Sequence, residues 1–115
     1  MTFKEQIKDQ LYMKVLGIVK EIETGKYAFD EDNEDYDEPC ASDYLNDALD
    51  VEYAVDSRGK YIGATIYVAL GGPTIWIDTR YGNVEGRWGN DSVSVRYYKD
   101  PMGINDHMEE LFDCL

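Results

Sequence analysis

An α+β fold is predicted, with an N-terminal helix packed on a five-stranded antiparallel sheet, a short acidic helix and a C-terminal helix. Two observations carry that prediction. Apolar residues first recur at spacings of three and four, and from Leu49 onward the period changes to two in five short runs separated by turn residues. With 115 residues the chain fits one domain, residues 1–115, with a single core.

Thr2 and Glu5 form a T-x-x-E capping box, and Phe3, Ile7, Leu11, Val15, Ile18, Val19 and Ile22 lie on one helical stripe. Gly25 is placed to cap the helix C-terminus. From Asp30 to Glu38 seven of nine residues are acidic, so self-repulsion favours an exposed loop, pinned by Tyr27, Phe29 and Tyr36. Pro39 suits a first helical turn, and Ala41 to Leu49 carries Tyr44, Leu45, Ala48 and Leu49 at helical spacing.

The first strand places Leu49, Val51, Tyr53 and Val55 inward, alternating with Asp50, Glu52, Ala54 and Asp56. Ser57-Arg58-Gly59-Lys60 is a turn into a second strand, Tyr61 to Leu70, with Ile62, Ala64, Ile66, Val68 and Leu70 inward and Tyr61, Thr65 and Tyr67 outward. Gly71-Gly72-Pro73 ends it. Thr74–Thr79, Val84–Trp88 and Ser92–Tyr98 follow as three more strands, and connections this short favour a meander over crossovers. A last helix fits Asn105 to Cys114, with Asn105 or Asp106 as N-cap and Met108, Leu111 and Phe112 as its stripe.

Charge is distributed far less evenly than structure. Tyr27 to Ser57 holds twelve carboxylates (Asp30, Glu31, Asp32, Glu34, Asp35, Asp37, Glu38, Asp43, Asp47, Asp50, Glu52 and Asp56) and neither Lys nor Arg. Elsewhere twelve acids face eleven bases, so these 31 residues supply nearly all of the net charge of −13. Direct nucleic-acid binding is disfavoured, because it requires Lys and Arg to neutralise phosphates. A positively charged partner is the natural complement. No apolar run approaches the roughly 20 residues that span a bilayer, and no signal-peptide core is present, so a cytoplasmic location and no membrane contact are expected.

Candidate chemistry is sparse. An EF-hand loop starting at Asp30 puts Asp35 where Gly is needed and Ala41 where a bidentate Glu is needed. Cys40 and Cys114 lack the spacing of a zinc site, so neither metal nor cofactor is expected. His107, the only histidine, lies among Asp106, Glu109 and Glu110 and reads as a surface residue. Cys114 is too near the terminus to be held as a nucleophile, and the glycines lack phosphate-loop spacing. A hydrolase using paired carboxylates would need a concave pocket that sequence does not reveal, so the chain is expected not to be an enzyme.

Outward positions on the strands combine carboxylates with aromatics: Asp50, Glu52, Asp56, Tyr61, Thr65, Tyr67, Trp76, Asp78 and Glu85. Left uncovered, such a face suits a protein interface, aromatic anchors being set among charges that pair with Arg and Lys. A second layer over the face, or a merely solvated acidic surface, is the alternative. Carboxylates two apart on a strand are about 6.7 Å apart, as for Asp50 and Glu52, and those four apart on a helix about 6 Å, as for Asp43 and Asp47. Such rows imitate a phosphate backbone.

A small, strongly acidic single-domain chain with two cysteines and no catalytic set resembles the antirestriction and anti-CRISPR inhibitors of phages and mobile elements, several of which mimic DNA. Gly71-Gly72-Pro73-Thr74-Ile75-Trp76-Ile77-Asp78-Thr79, with Gly82 and Val84-Glu85-Gly86-Arg87-Trp88-Gly89, is also similar to small proteins of bacterial mobile elements that carry no assigned chemistry. The first resemblance implies a non-enzymatic inhibitor competing with DNA for the basic groove of a host nuclease, a CRISPR effector foremost. Asp30 to Glu38, Asp43, Asp47, Asp50 and Glu52 would supply charge, and Tyr36, Tyr44 and Trp76 anchors. The competing expectation is a regulatory or scaffold module that binds a partner through the aromatic sheet face, with Tyr67 and Trp76 at its centre.

Overall fold

The computed structural model describes residues 3–25 and 41–115. The order is helix α1 (Phe3–Thr24), a short helix α2 (Ala41–Tyr44) continued by a 3-10 turn (Leu45–Asp47), strands β1 (Asp50–Val55), β2 (Tyr61–Ala69), β3 (Thr74–Asp78), β4 (Asn83–Trp88) and β5 (Asp91–Arg96), and helix α3 (Ile104–Asp113). The strands form one antiparallel meander in the order β1-β2-β3-β4-β5. This is the predicted α+β architecture. Thr2 of the capping box, the Asp30–Glu38 loop with its aromatics, and Cys40 lie outside the described residues.

Both helices lie on one face of the sheet. Leu11, Val15, Val19 and Ile22 of α1 are buried with Ile66, Ile75, Ile77 and Val84. At Gly86 a Cβ would stand 2.8 Å from both Leu11 Cδ1 and Val15 Cγ2, so a larger residue there would push these α1 side chains off β4. α3 covers the other half: Ile104 and Met108 are buried, and the Phe112 ring packs at a tilt against Tyr53 and Tyr61 at ring centroid distances of 5.5 and 5.7 Å. Gly25, at φ 71°, ends α1 in the left-handed conformation expected of a C-terminal cap.

Several side chains depart from the simple alternation, each for a local reason. The β1–β2 register skips Ile62, and this bulge turns Tyr61 inward under α3, against the prediction that it faces outward. Its hydroxyl donates to Asn105 Oδ1 at 2.7 Å. Burial pushes the Tyr61 phenol above its usual pKa. Val55, just beyond the same irregularity, is exposed, as are Leu49 and Leu70 at the ends of their runs. A second skip at Val68 lets Ala69 face Ile75.

The helix predicted over Ala41–Leu49 shrinks to one α-helical turn and a 3-10 turn, because Ala48 becomes extended and Leu49 already donates to Tyr67 O at 2.8 Å. Neither Asn105 nor Asp106 caps α3. Gly103 holds the cap position at φ 67°, and the Asp100 carboxylate accepts the Ile104 N–H at 2.8 Å. Leu111 is exposed, and Ile104 takes its place on the buried stripe.

Candidate partner-binding face

Register determines which residues share the sheet's other face, since paired residues in an antiparallel ladder point the same way. Asp50 stands opposite Tyr67, Tyr67 opposite Trp76, Trp76 opposite Glu85, and Glu85 opposite Ser94. A parallel row joins Glu52, Thr65, Asp78, Asn83 and Arg96. Both helices pack on the opposite side, so among the described residues this face has no second layer. Asp50, Glu52, Tyr67 and Trp76, expected to act together, are brought together here.

Tyr67 and Trp76 form the aromatic centre, with ring centroids 6.2 Å apart and planes tilted by 48°. Both are half-buried by their neighbours, leaving ring area for a partner. The Tyr67 hydroxyl reaches Glu52 Oε2 at 3.4 Å. Partial burial, then the adjacent Glu52 carboxylate, raises the phenol's pKa, so it remains a donor. Trp76 also borders a shallow cleft with Glu85, Arg87, Ser92 and Ser94.

The remaining predicted residues lie elsewhere. Tyr44 and Asp47 are on the helical side, where the Tyr44 hydroxyl donates to Glu21 Oε2 at 2.8 Å and its ring packs against the core. Tyr44 is thus a structural clamp between α2 and α1, not an anchor on the open face. Asp43 belongs to α2 by its backbone, and its side chain lies outside the described part. Asp56 sits past the end of β1, where its Oδ1 accepts the N–H groups of Arg58 at 2.8 Å and Lys60 at 2.9 Å. Those two backbone bonds hold its carboxyl below the usual range, so it builds the turn. Asp30, Glu31, Asp32, Glu34, Asp35, Tyr36, Asp37 and Glu38 lie outside the described residues.

Two carboxylates of the face also serve the backbone. Asp50 Oδ1 accepts the Val51 N–H at 2.9 Å, and Asp78 Oδ1 accepts the Arg80 N–H at 2.9 Å. Sequence reasoning missed Arg87 and Arg96, which bring positive charge to the β4–β5 half. Their outward parity opposite Val84, Val93 and Val95 was the available signal. Asn83, between Asp78 and Arg96, donates to Glu85 and Ser94, while its buried Oδ1 has no partner among the described residues. The face therefore runs from acidic at β1, through aromatic at β2 and β3, to mixed charge at β4 and β5.

Among the described residues no group of His, Cys, Asp or Glu is placed to hold a metal ion, and no helix is long and apolar enough to cross a membrane. Cys114 is an exposed free thiol. No family model matches the chain, and no curated protein or solved structure matches it either.

Proposed function

We propose that this protein is a non-enzymatic inhibitor that docks its acidic margin on the basic groove of a nucleic-acid-binding host defence nuclease, a CRISPR effector being the foremost class. One observation carries the reading: Asp50 and Glu52 project from a sheet edge beside the exposed parts of Tyr67 and Trp76, with no helix over them among the described residues. Their spacing of about 6.7 Å matches every second phosphate of a strand that rises about 3.4 Å per nucleotide. A groove lined with Lys and Arg meets there a rigid row of charge, followed by rings on which guanidinium groups stack. Asp30 to Glu38 adds charge that strengthens long-range attraction.

Competition between this protein and a labelled DNA duplex for a CRISPR effector nuclease tests the reading. The wild-type chain should displace the duplex at low salt and lose that ability steeply as salt rises. Asp50→Lys with Glu52→Lys, folded by circular dichroism, should compete at least tenfold less well. Undiminished competition by that double variant would overturn the assignment.

Arg87 and Arg96 support a second reading, because a pure phosphate mimic has no use for cations on the same face. In it the face binds a regulatory partner through Tyr67 and Trp76, and the acids supply solubility. Trp76→Ala then abolishes binding while the double charge reversal is tolerated.

A further inference from the structure

β5 is an outermost strand, and its pairing with β4 runs from Asp91 to Arg96 without a register break. The Tyr97 N–H bonds Gly82 O at 3.0 Å, which sets the phase of the ladder. Asp91, Val93 and Val95 accordingly direct their backbone groups to β4, and Ser92, Ser94 and Arg96 direct theirs away from the sheet. All three of the latter are exposed. Edge strands are usually blunted by a bulge, Pro, Lys or an inward charge, and the stretch Ser92 to Arg96 has none of these.

The helix beside this edge is incompletely covered on the same side. Tyr12, Leu16 and Glu23 share one flank of α1 by their spacing of four and seven. The Glu23 carboxylate accepts the Tyr98 N–H at 2.9 Å, so that flank faces the β5 margin. Tyr12 remains 45% exposed on it, an apolar surface next to an open row of backbone donors and acceptors.

We propose that β5 pairs antiparallel with β5 of a second copy about a two-fold axis at Ser94, making one continuous sheet across two chains. Ser94 then faces its own copy, Ser92 faces Arg96, and Val93 faces Val95, so each pair matches side for side and no like charges are opposed. This register also satisfies the hydrogen-bonding phase, because among the described residues the backbone groups of Ser92, Ser94 and Arg96 are the ones directed away from the sheet without a partner. A register centred one residue later would need the Tyr98 N–H, which Glu23 occupies.

Helix placement agrees. α1 packs on both β4 and β5, and with strands about 4.8 Å apart its axis lies roughly 2.4 Å inside β5. Two such helices are then about 10 Å apart across the seam, near the 8–10 Å of packed helices, with Tyr12 and Leu16 between them. The two β1 margins end nine strand spacings apart, about 43 Å, well beyond the screening length of about 8 Å at physiological salt. The Asp50 and Glu52 carboxylates of the two margins thus do not oppose each other across the seam.

Sedimentation equilibrium of the full chain tests this. The expected result is twice the chain mass, retained or strengthened as salt rises, and retained in Ser94→Thr. Ser94→Pro removes an edge donor without touching the β4 ladder, and Ser94→Lys sets like charges face to face; both should give the single-chain mass with an unchanged circular dichroism spectrum. Tyr12→Lys should do the same from the helix side if either strand variant fails to fold. A wild-type protein that stays at single-chain mass, an open-ended assembly, or a dimer that persists in both Ser94→Pro and Tyr12→Lys would each overturn the proposal. None of these outcomes bears on the acidic margin, whose test is weakened by salt where this one is not.

Discussion

The two margins of the sheet solve the same problem in opposite ways. At β1 the register is broken at Ile62, Asp50 spends a carboxylate oxygen on the edge N–H of Val51, and Glu52 adds charge to the rim. At β5 the register is unbroken, the outward side chains are Ser92, Ser94 and Arg96, and among the described residues the backbone row is open. The helices follow the division. α1 covers β4 and β5 with aliphatic side chains, whereas α3 meets β1 and β2 through the rings of Tyr53, Tyr61 and Phe112. Irregularity and acidic charge thus coincide on one margin, and an unbroken register with mixed charge on the other. The contrast suits a β1 margin facing a foreign basic surface and a β5 margin facing its own copy.

Substitutions on the two halves should differ in size. Leu11→Ala, at a fully buried position over β4, should lower stability by about 3 kcal/mol in urea titration, since Leu→Ala changes in cores cost about 2–5 kcal/mol. Phe112→Ala, on the half-buried aromatic cluster, should cost less, about 1–2 kcal/mol by the area it removes from contact. Equal losses would break the distinction between a sealed aliphatic half and a looser aromatic one.

The smallest effect belongs to the β1–β2 turn, and pH sharpens it. Asp56 has a folded-state pKa below its unfolded value, so the stability it contributes is present above the ordinary carboxyl pKa and is lost as pH falls through the lowered one. Asp56→Ala should therefore melt slightly below wild type at neutral pH. The two melting temperatures should converge under acid conditions, as read by circular dichroism. A gap that persists in acid would show that the turn depends on the side chain's shape instead of its charge.

Most of the fold was legible because each element announces itself locally. The three-and-four spacing from Leu11 to Ile22 and the alternations around Ile66, Ile77 and Val84 each name a buried face without reference to any other element. The candidate site was legible by the same parity, which put Asp50, Glu52, Tyr67 and Trp76 on one side before their pairing was known. What alternation misses is an inserted residue: Ile62 shifts the register, so Tyr61 turns to α3 although its spacing points outward. It also misses competition for a side chain. Tyr44 looked like an anchor, and Glu21 from a helix twenty-three residues earlier draws it to the other side of the sheet.

By itself the amino-acid sequence determined the element order, the meander, the two faces of the strands where their register is regular and the confinement of charge to one stretch, since periodicity, turn chemistry and charge are properties of neighbouring residues. Only the tertiary structure decided that both helices share a face, that the opposite face is polarised from the carboxylates of β1 to the arginines of β4 and β5, and that the margins are unequal. Those facts depend on register and on which element reaches which edge, and both are settled by contacts between residues far apart in the chain.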